Sequence, residues 1–463
     1  MTTIHQDIAY STIDEISAKL ASKALSPVEV TESLLQRIEA INPKLNAFIT
    51  VTAELALEEA SRAEKDIMSG NIKGPLHGIP IVHKDIYYTK GIRTTISSKI
   101  FENHIPNTNA TAVTKLSEAG TILLGKVQTH EFAAGAMTNS PHFGPCRNPW
   151  DISRTPGGSS GGSGSAVAAG LAFMGTGTDT GGSIRIPAAA CGIVGIKPTY
   201  GRVSRNGIFP LSWSLDHGGP LTRTVKDAAL CLEAMAGYDS LDPTTSTLPV
   251  PAYSTMLRED LKGVRIGIPT TYYFDNNSPE VFAAVHKAIA VMKQLGAEII
   301  DVDIPLLDTV MAISRGICSG EVSAIHDKWY RECPEMYGPD VLAMIESGRL
   351  VTAVQYLQSQ RARQLLQEQF AEALHEADVL VTPTLPITAP AIDNTAVGMR
   401  LAELTMPTNV TGLPSLALPC GFDQSGLPIS LQLIGKPFAE GEVLGIGHAY
   451  EQSAGWHLSR PSL

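Results

Sequence analysis

The chain has no Cys-x-x-Cys pair. Its six cysteines, Cys146, Cys191, Cys231, Cys318, Cys333 and Cys420, are scattered, which argues against a disulfide framework or a zinc site and reads as reduced, buried thiols. None of the twelve histidines forms a His-x-x-x-His pair beside a carboxylate, so no metal or other cofactor is expected. No segment reaches the roughly 18 uninterrupted apolar residues of a membrane span. Met1 to Tyr10 lacks a basic stretch followed by an apolar run, so neither export nor membrane association is expected, and the expected compartment is the cytoplasm. Charged residues are sparse at 17%, and the net charge of −11 supplies no concentrated positive surface, so nucleic acid is not expected as a direct ligand.

What the chain does have is 463 residues, 43% of them hydrophobic, enough for a large buried core. At roughly 150 residues per domain the length alone leaves one to three domains open. Ser26-Pro27-Val28-Glu29 combines an N-cap, a first-turn proline and a third-position glutamate. Val30, Leu34, Leu35, Ile38 and Ile41 then recur on one face, and Asn42-Pro43 is the expected stop. Short apolar runs bounded by turn residues predict buried strands at 78–82, 121–124, 171–174, 264–268, 298–304, 379–381, 415–418 and 429–434. Helical patterns at 111–119, 225–235, 278–295 and 354–377 alternate with them. The expected class is α/β: one large, mixed, twisted sheet with helices on both faces.

Glycine is concentrated between Thr155 and Gly182: Gly157-Gly158-Ser159-Ser160-Gly161-Gly162-Ser163-Gly164, then Gly175, Gly177, Gly181 and Gly182. Glycine permits positive φ and close approach to the main chain, so such loops can aim successive N–H groups at one anion or oxyanion. A phosphate-binding loop requires a lysine that does not follow here, and a dinucleotide fingerprint requires a glycine where Thr180 stands. Gly-x-Ser-x-Gly, the pattern of a nucleophile elbow, is matched around Ser159 and Ser160; such an enzyme would need a downstream histidine such as His217 or His448. A third reading takes Ser183, after Gly181-Gly182, as nucleophile, Ser159 as its neighbour and Lys84 as base. Lys84 closes the apolar run at 78–84, and burial of its ammonium would depress its pKa from ~10.4 toward a value at which the neutral amine accepts a proton.

From Leu76 to Ile434 the sequence resembles the amidase signature hydrolases. The resemblance is carried by Gly157-Gly-Ser-Ser-Gly-Gly-Ser, by Gly177-Thr-Asp-Thr-Gly-Gly-Ser-Ile-Arg-Ile-Pro187 and by Cys191-Gly-Ile-Val-Gly-Ile-Lys-Pro198. It implies a Ser-cisSer-Lys set with Ser183 as nucleophile, Ser159 as the bridging serine in a cis peptide and Lys84 as base. It further implies an oxyanion hole from the backbone N–H groups of Thr180, Gly181, Gly182 and Ser183, with Asp179 and Arg185 bracing the loop. Ser160 and Ser163 are expected to tie backbone groups together, and Cys191 to pack. A single domain over 1–463 is implied, with an N-terminal helical region at 1–70, a signature core at 71–240 and a variable segment near the substrate at about 305–350.

By the same resemblance, Phe132, Met137, Phe209 and Trp213, with Trp329 or Tyr330, belong to stretches that line the substrate channel and suggest an apolar or aromatic acyl or amine group, with ordinary core packing as the other explanation for each aromatic. The expected activity is hydrolysis of a linear amide through a Ser183 acyl-enzyme, extending to carbamates, ureas or esters, by a monomer or homodimer. Two branches offer alternatives: the glutamine-hydrolysing component of tRNA-dependent amidotransferases, and carboxybiuret-type hydrolases with a small partner subunit. The first has an Asp-Ile-Phe-Thr-like element where this chain reads Glu403-Leu-Thr-Met-Pro-Thr-Asn409. The second is similar at Gly144-Pro-Cys-Arg-Asn-Pro149 and at 356–363. A non-catalytic binding protein on the same fold is the remaining alternative.

Overall fold

The computed structural model describes residues 8–463; the first seven residues, on which most of the reading of the N-terminus falls, lie outside it. Ser26 caps the helix Pro27–Leu45 through a capping box with Glu29. The helix does not stop at Asn42-Pro43 as expected. Pro43 stands in the last turn, where its missing N–H removes a single bond. Asn42 Oδ1 then accepts from Ala47 N and Phe48 N at 2.9 and 3.0 Å, and left-handed Asn46 ends the helix.

Thirteen strands follow among the described residues: β1 (Phe48–Val51), β2 (Pro80–Lys84), β3 (Ile122–Val127), β4 (Asn139–Ser140), β5 (Gly144–Pro145), β6 (Met174–Asp179), β7 (Val194–Lys197), β8 (His217–Thr222), β9 (Arg265–Pro269), β10 (Glu298–Val302), β11 (Val379–Pro383), β12 (Ser415–Phe422) and β13 (Pro428–Gly435). Eleven form one mixed sheet in the order β1-β3-β2-β6-β8-β7-β12-β13-β11-β9-β10, and β4 with β5 makes a separate ribbon. β2 runs parallel to both β3 and β6, whereas β6 and β8 are antiparallel. In β2, β3, β6, β7, β8, β11 and β13 every residue is buried, so both faces of the sheet's middle are covered. The expected α/β architecture is the one observed.

β6 departs from expectation: the apolar run at 171–174 leads into the strand, and the strand itself reads Met-Gly-Thr-Gly-Thr-Asp. Its glycines serve packing. A Cβ on Gly175 would come within 2.7 Å of Ser163 Cβ, and one on Gly177 within 2.6 Å of Leu221 Cδ1. The helix Gly161–Ala168 can therefore lie close to the strand, where Ser163 Oγ donates to Thr176 O at 2.7 Å and Ser160 Oγ to Thr178 O at 3.2 Å. The segment after 305 forms the helices Val310–Glu332 and Pro339–Gly348.

Candidate active site

Lys84 ends β2, fully buried, and β6 lies beside it in parallel register. Side chains alternate along a strand, so Thr176 and Thr178 share one face of β6. Thr176 Oγ1 accepts from Lys84 N at 3.0 Å, and Lys84 Nζ donates to Thr178 Oγ1 at 2.7 Å. Lys84 Nζ also lies 2.7 Å from Ser159 Oγ. Burial lowers the lysine pKa to about 7 against the opposing pull of Asp179 and Asp216, which places the neutral amine within reach near neutrality.

Ser159 follows a cis peptide bond from Gly158. Its loop is clasped from several sides: Thr138 Oγ1 donates to Gly157 O at 2.8 Å and to Ser159 O at 3.2 Å, and His130 N donates to Ser159 O at 2.9 Å. Ser160 N donates to Ser183 O at 3.2 Å, which clips this loop to the turn at 180–183. Ser183 is 8% exposed, and its hydroxyl has no hydrogen-bond partner among the described residues. Lys84, Ser159 and the Ser183 turn are thus brought to one place, with one hydroxyl held by the amine and the other free.

The turn is built on Asp179. Its carboxylate accepts from Gly182 N at 2.7 Å, Ile184 N at 3.1 Å, Arg185 Nε at 3.1 Å, Arg185 Nη2 at 3.0 Å and Asn409 Nδ2 at 2.9 Å. Burial opposes ionisation of Asp179, but Arg185, with Lys197 and Asn409, outweighs it and holds the carboxyl well below the usual range. Arg185 also reaches Thr408 Oγ1, Gln432 Oε1 and Asn409 Oδ1 at 2.6, 3.0 and 2.7 Å. The stretch at 403–409 is therefore a brace of this turn, and Thr405 Oγ1 donates to Gly181 O at 2.6 Å.

One expected oxyanion donor is corrected. The Gly182 N–H points inward and donates to Asp179 Oδ1 at 2.7 Å. The N–H groups of Thr180, Gly181 and Ser183 have no protein acceptor among the described residues. Thr180 is steadied by its hydroxyl, which donates to Asp216 Oδ1 at 2.6 Å; burial raises the Asp216 pKa to about 6.

A cleft of about 860 Å³ borders the turn, with Met406 on its wall and Met406 Cε 2.5 Å from where a Cβ on Gly181 would stand. Met137 lines it. Phe132 and Phe209 do not, because they belong to an aromatic core. Phe132, fully buried, packs against Phe209, His326 and Tyr337 at ring separations of 5.3, 4.5 and 5.5 Å. Trp329 packs on Phe101 and Phe209, and Arg349 stacks on Tyr330, so neither lines the cleft. Trp213, 50% exposed, lines a different cavity of about 210 Å³ that reaches Thr178, Asp216 and His217. The helices Val310–Glu332 and Pro339–Gly348 supply one wall of the cleft. Thr178, Asp216, Thr405 and Asn409 escaped sequence reasoning. Only Thr178 carried a signal, as the second of two threonines spaced for one strand face.

Neither histidine offered as a base touches the serines. His217 Nδ1 is bound to Leu215 O at 2.7 Å, and His448 lies beside Glu451 on the helix Glu440–Ala454. Cys191 is buried, with Sγ 3.4 Å from Pro156 O, as a packing residue would be.

The model of the amidase family matches residues 29–444, and the chain belongs to that family. It is 44% identical over 480 residues to a glutamyl-tRNA(Gln) amidotransferase component, the one designated A, of a Geobacter species, covering 98% of this chain and 99% of that protein. It is also 44% identical over 463 residues to an amidase of Pseudomonas putida, covering 98% of each. Among solved structures, one reported as an unexpected vestigial protein complex revealing the origins of an s-triazine catabolic enzyme superposes with a TM-score of 0.92. That chain is 34% identical, over 98% of this chain and 100% of its own. Among the described residues no helix is long and apolar enough to cross a membrane.

Proposed function

We propose that the protein hydrolyses a linear amide C–N bond through an acyl-enzyme on Ser183. The observation that carries the reading is the buried Lys84 amine 2.7 Å from Ser159 Oγ, with its pKa brought down to about 7 by burial. Neutral Lys84 accepts the Ser159 proton while donating to Thr178, and Ser159 takes the proton of Ser183 as the Ser183 oxygen attacks the carbonyl carbon. The developing oxyanion is received by the N–H groups of Thr180, Gly181 and Ser183, each donor contributing about 3 kcal/mol in comparable sites. Ser159 returns a proton to the departing amine, and water hydrolyses the ester by the reverse path, regenerating Ser183. Asp179 and Arg185 position the turn. Carbamates and esters share the acyl-transfer step and fall within the same reading.

The name of the Geobacter relative supports a second reading, glutamine hydrolysis in concert with partner chains. Amine release from amides, carbamates, ureas and glutamine separates the two. Ser183→Ala should lower kcat by about 10⁴-fold or more while circular dichroism and melting stay as in the parent. A variant that keeps its turnover would remove Ser183 from the nucleophile's role.

A further inference from the structure

Five of the chain's twelve methionines converge on the cleft beside Gly181: Met137, Met311, Met344, Met399 and Met406. They come from five separate segments: the loop before β4, and the helices Val310–Glu332, Pro339–Gly348, Gly398–Leu401 and Met406–Thr411. The convergence is made by the fold, since no run in the sequence groups them. They also differ in setting, Met137 being 4% exposed and Met399 65%. A methionine buried in a core fills a gap; methionines arrayed around an open cleft present unbranched, polarisable walls that adapt to apolar guests of different shape. The charged groups on the wall do not offset this character: Asp340 is engaged by His130 Nε2 at 2.8 Å, and Arg315 is exposed. A cleft of about 860 Å³ falls within the range of small-molecule sites and far exceeds what an acetyl group or ammonia needs.

Resting on the proposed amidase reading, we infer that the preferred substrate is an amide carrying a long, flexible apolar chain or an aryl group, held by these methionines. Small polar amides such as glutamine are poor substrates. Each methylene that enters the cleft leaves water and lowers the barrier from free enzyme and substrate to the transition state.

The test uses two series on the parent protein: anilides of straight-chain acids from acetyl to octanoyl, and acetamides of straight-chain amines of the same lengths. In the series whose variable group occupies the cleft, kcat/KM should climb by about three- to fourfold per methylene until the cleft is filled. The other series should stay flat, which assigns the cleft to the acyl or the amine side. Met344→Asn should reduce the climb in the responding series, while Met344→Leu keeps it. Flat profiles in both series, with hydrolysis still dependent on Ser183, would overturn this inference and leave the amidase reading standing. A kcat/KM for glutamine above that for hexananilide would overturn it as well. Loss of Ser183 dependence would strike the amidase reading itself.

Discussion

The floor of the site and the wall of its cleft are built on opposite plans. On the floor, Asp179 and Arg185 are fully buried, and the side-chain hydrogen bonds of the Arg185 guanidinium end on oxygens of Asp179, Thr408, Asn409 and Gln432. The wall is mostly methionine, small residues and proline, much of it on helices after residue 305, and its polar contacts are isolated ones such as His130 with Asp340 and Ser314 Oγ with Met406 Sδ. A saturated polar network holds one geometry, because each displaced group is left without a partner in a dry interior. An apolar wall held by dispersion has many arrangements of nearly equal energy. On the proposed reading, chemistry is thereby separated from recognition: the reaction belongs to the floor, and the choice of amide to the wall.

That contrast is most sharply broken at Lys84. Lys84→Met should reduce kcat by about 10³-fold or more, since the proton acceptor is gone. The melting temperature should hold or rise. A lysine whose folded pKa is about 7, against ~10.4 unfolded, costs stability that is fully felt below pH 7 and relieved as pH rises toward 10. In the parent, kcat/KM should fall tenfold per unit as pH drops below about 7, because the cationic amine accepts no proton. A profile flat from pH 5 to 8 would exclude Lys84 as the base.

Asp179→Asn probes the rigidity of the floor. It leaves Arg185 charged and buried without its counter-ion, and should cost about 3–5 kcal/mol in denaturant unfolding. Parent-like stability would show that the network does not hold the turn. The smallest effect belongs at the rim of the second cavity, which reaches the floor only through Thr178, Asp216 and His217: Trp213→Ala, at a half-exposed ring, should alter kcat/KM by less than about twofold. A larger loss would extend substrate recognition beyond the methionine wall.

Much of this arrangement was legible in the sequence, for reasons that differ by residue. The helices at 225–235 and 279–294 announced themselves by helical patterning. The residues Lys84, Ser159 and Ser183 were reached through glycine density and a lysine at a strand end, and then through resemblance. β6 and β8 were hidden, because Met-Gly-Thr-Gly-Thr-Asp and His-Gly-Gly-Pro-Leu-Thr carry the composition of loops; close packing, not propensity, makes them strands. The aromatic residues could stand in the channel or in the core on the sequence alone. Phe132 lies close along the chain to the cleft residues His130 and Ala134, yet its ring turns toward Tyr337, and Phe209 packs on Trp329. The braces Thr405 and Asn409 lie more than 220 positions from the turn they hold, beyond any local pattern.

β2 carries Lys84 in parallel register with β6, Ile81 opposite Met174 and Val82 opposite Gly175. Because side chains switch faces at every residue, the Lys84 amine is addressed by parity. One residue inserted between Pro80 and Lys84 without a compensating bulge would send the amine to the opposite face, away from both Thr178 and Ser159. The span leading to that amine can therefore change length only in steps of two or with a bulge to absorb the odd residue, as the register irregularity beside Ile81 and Val82 already does between β2 and β3.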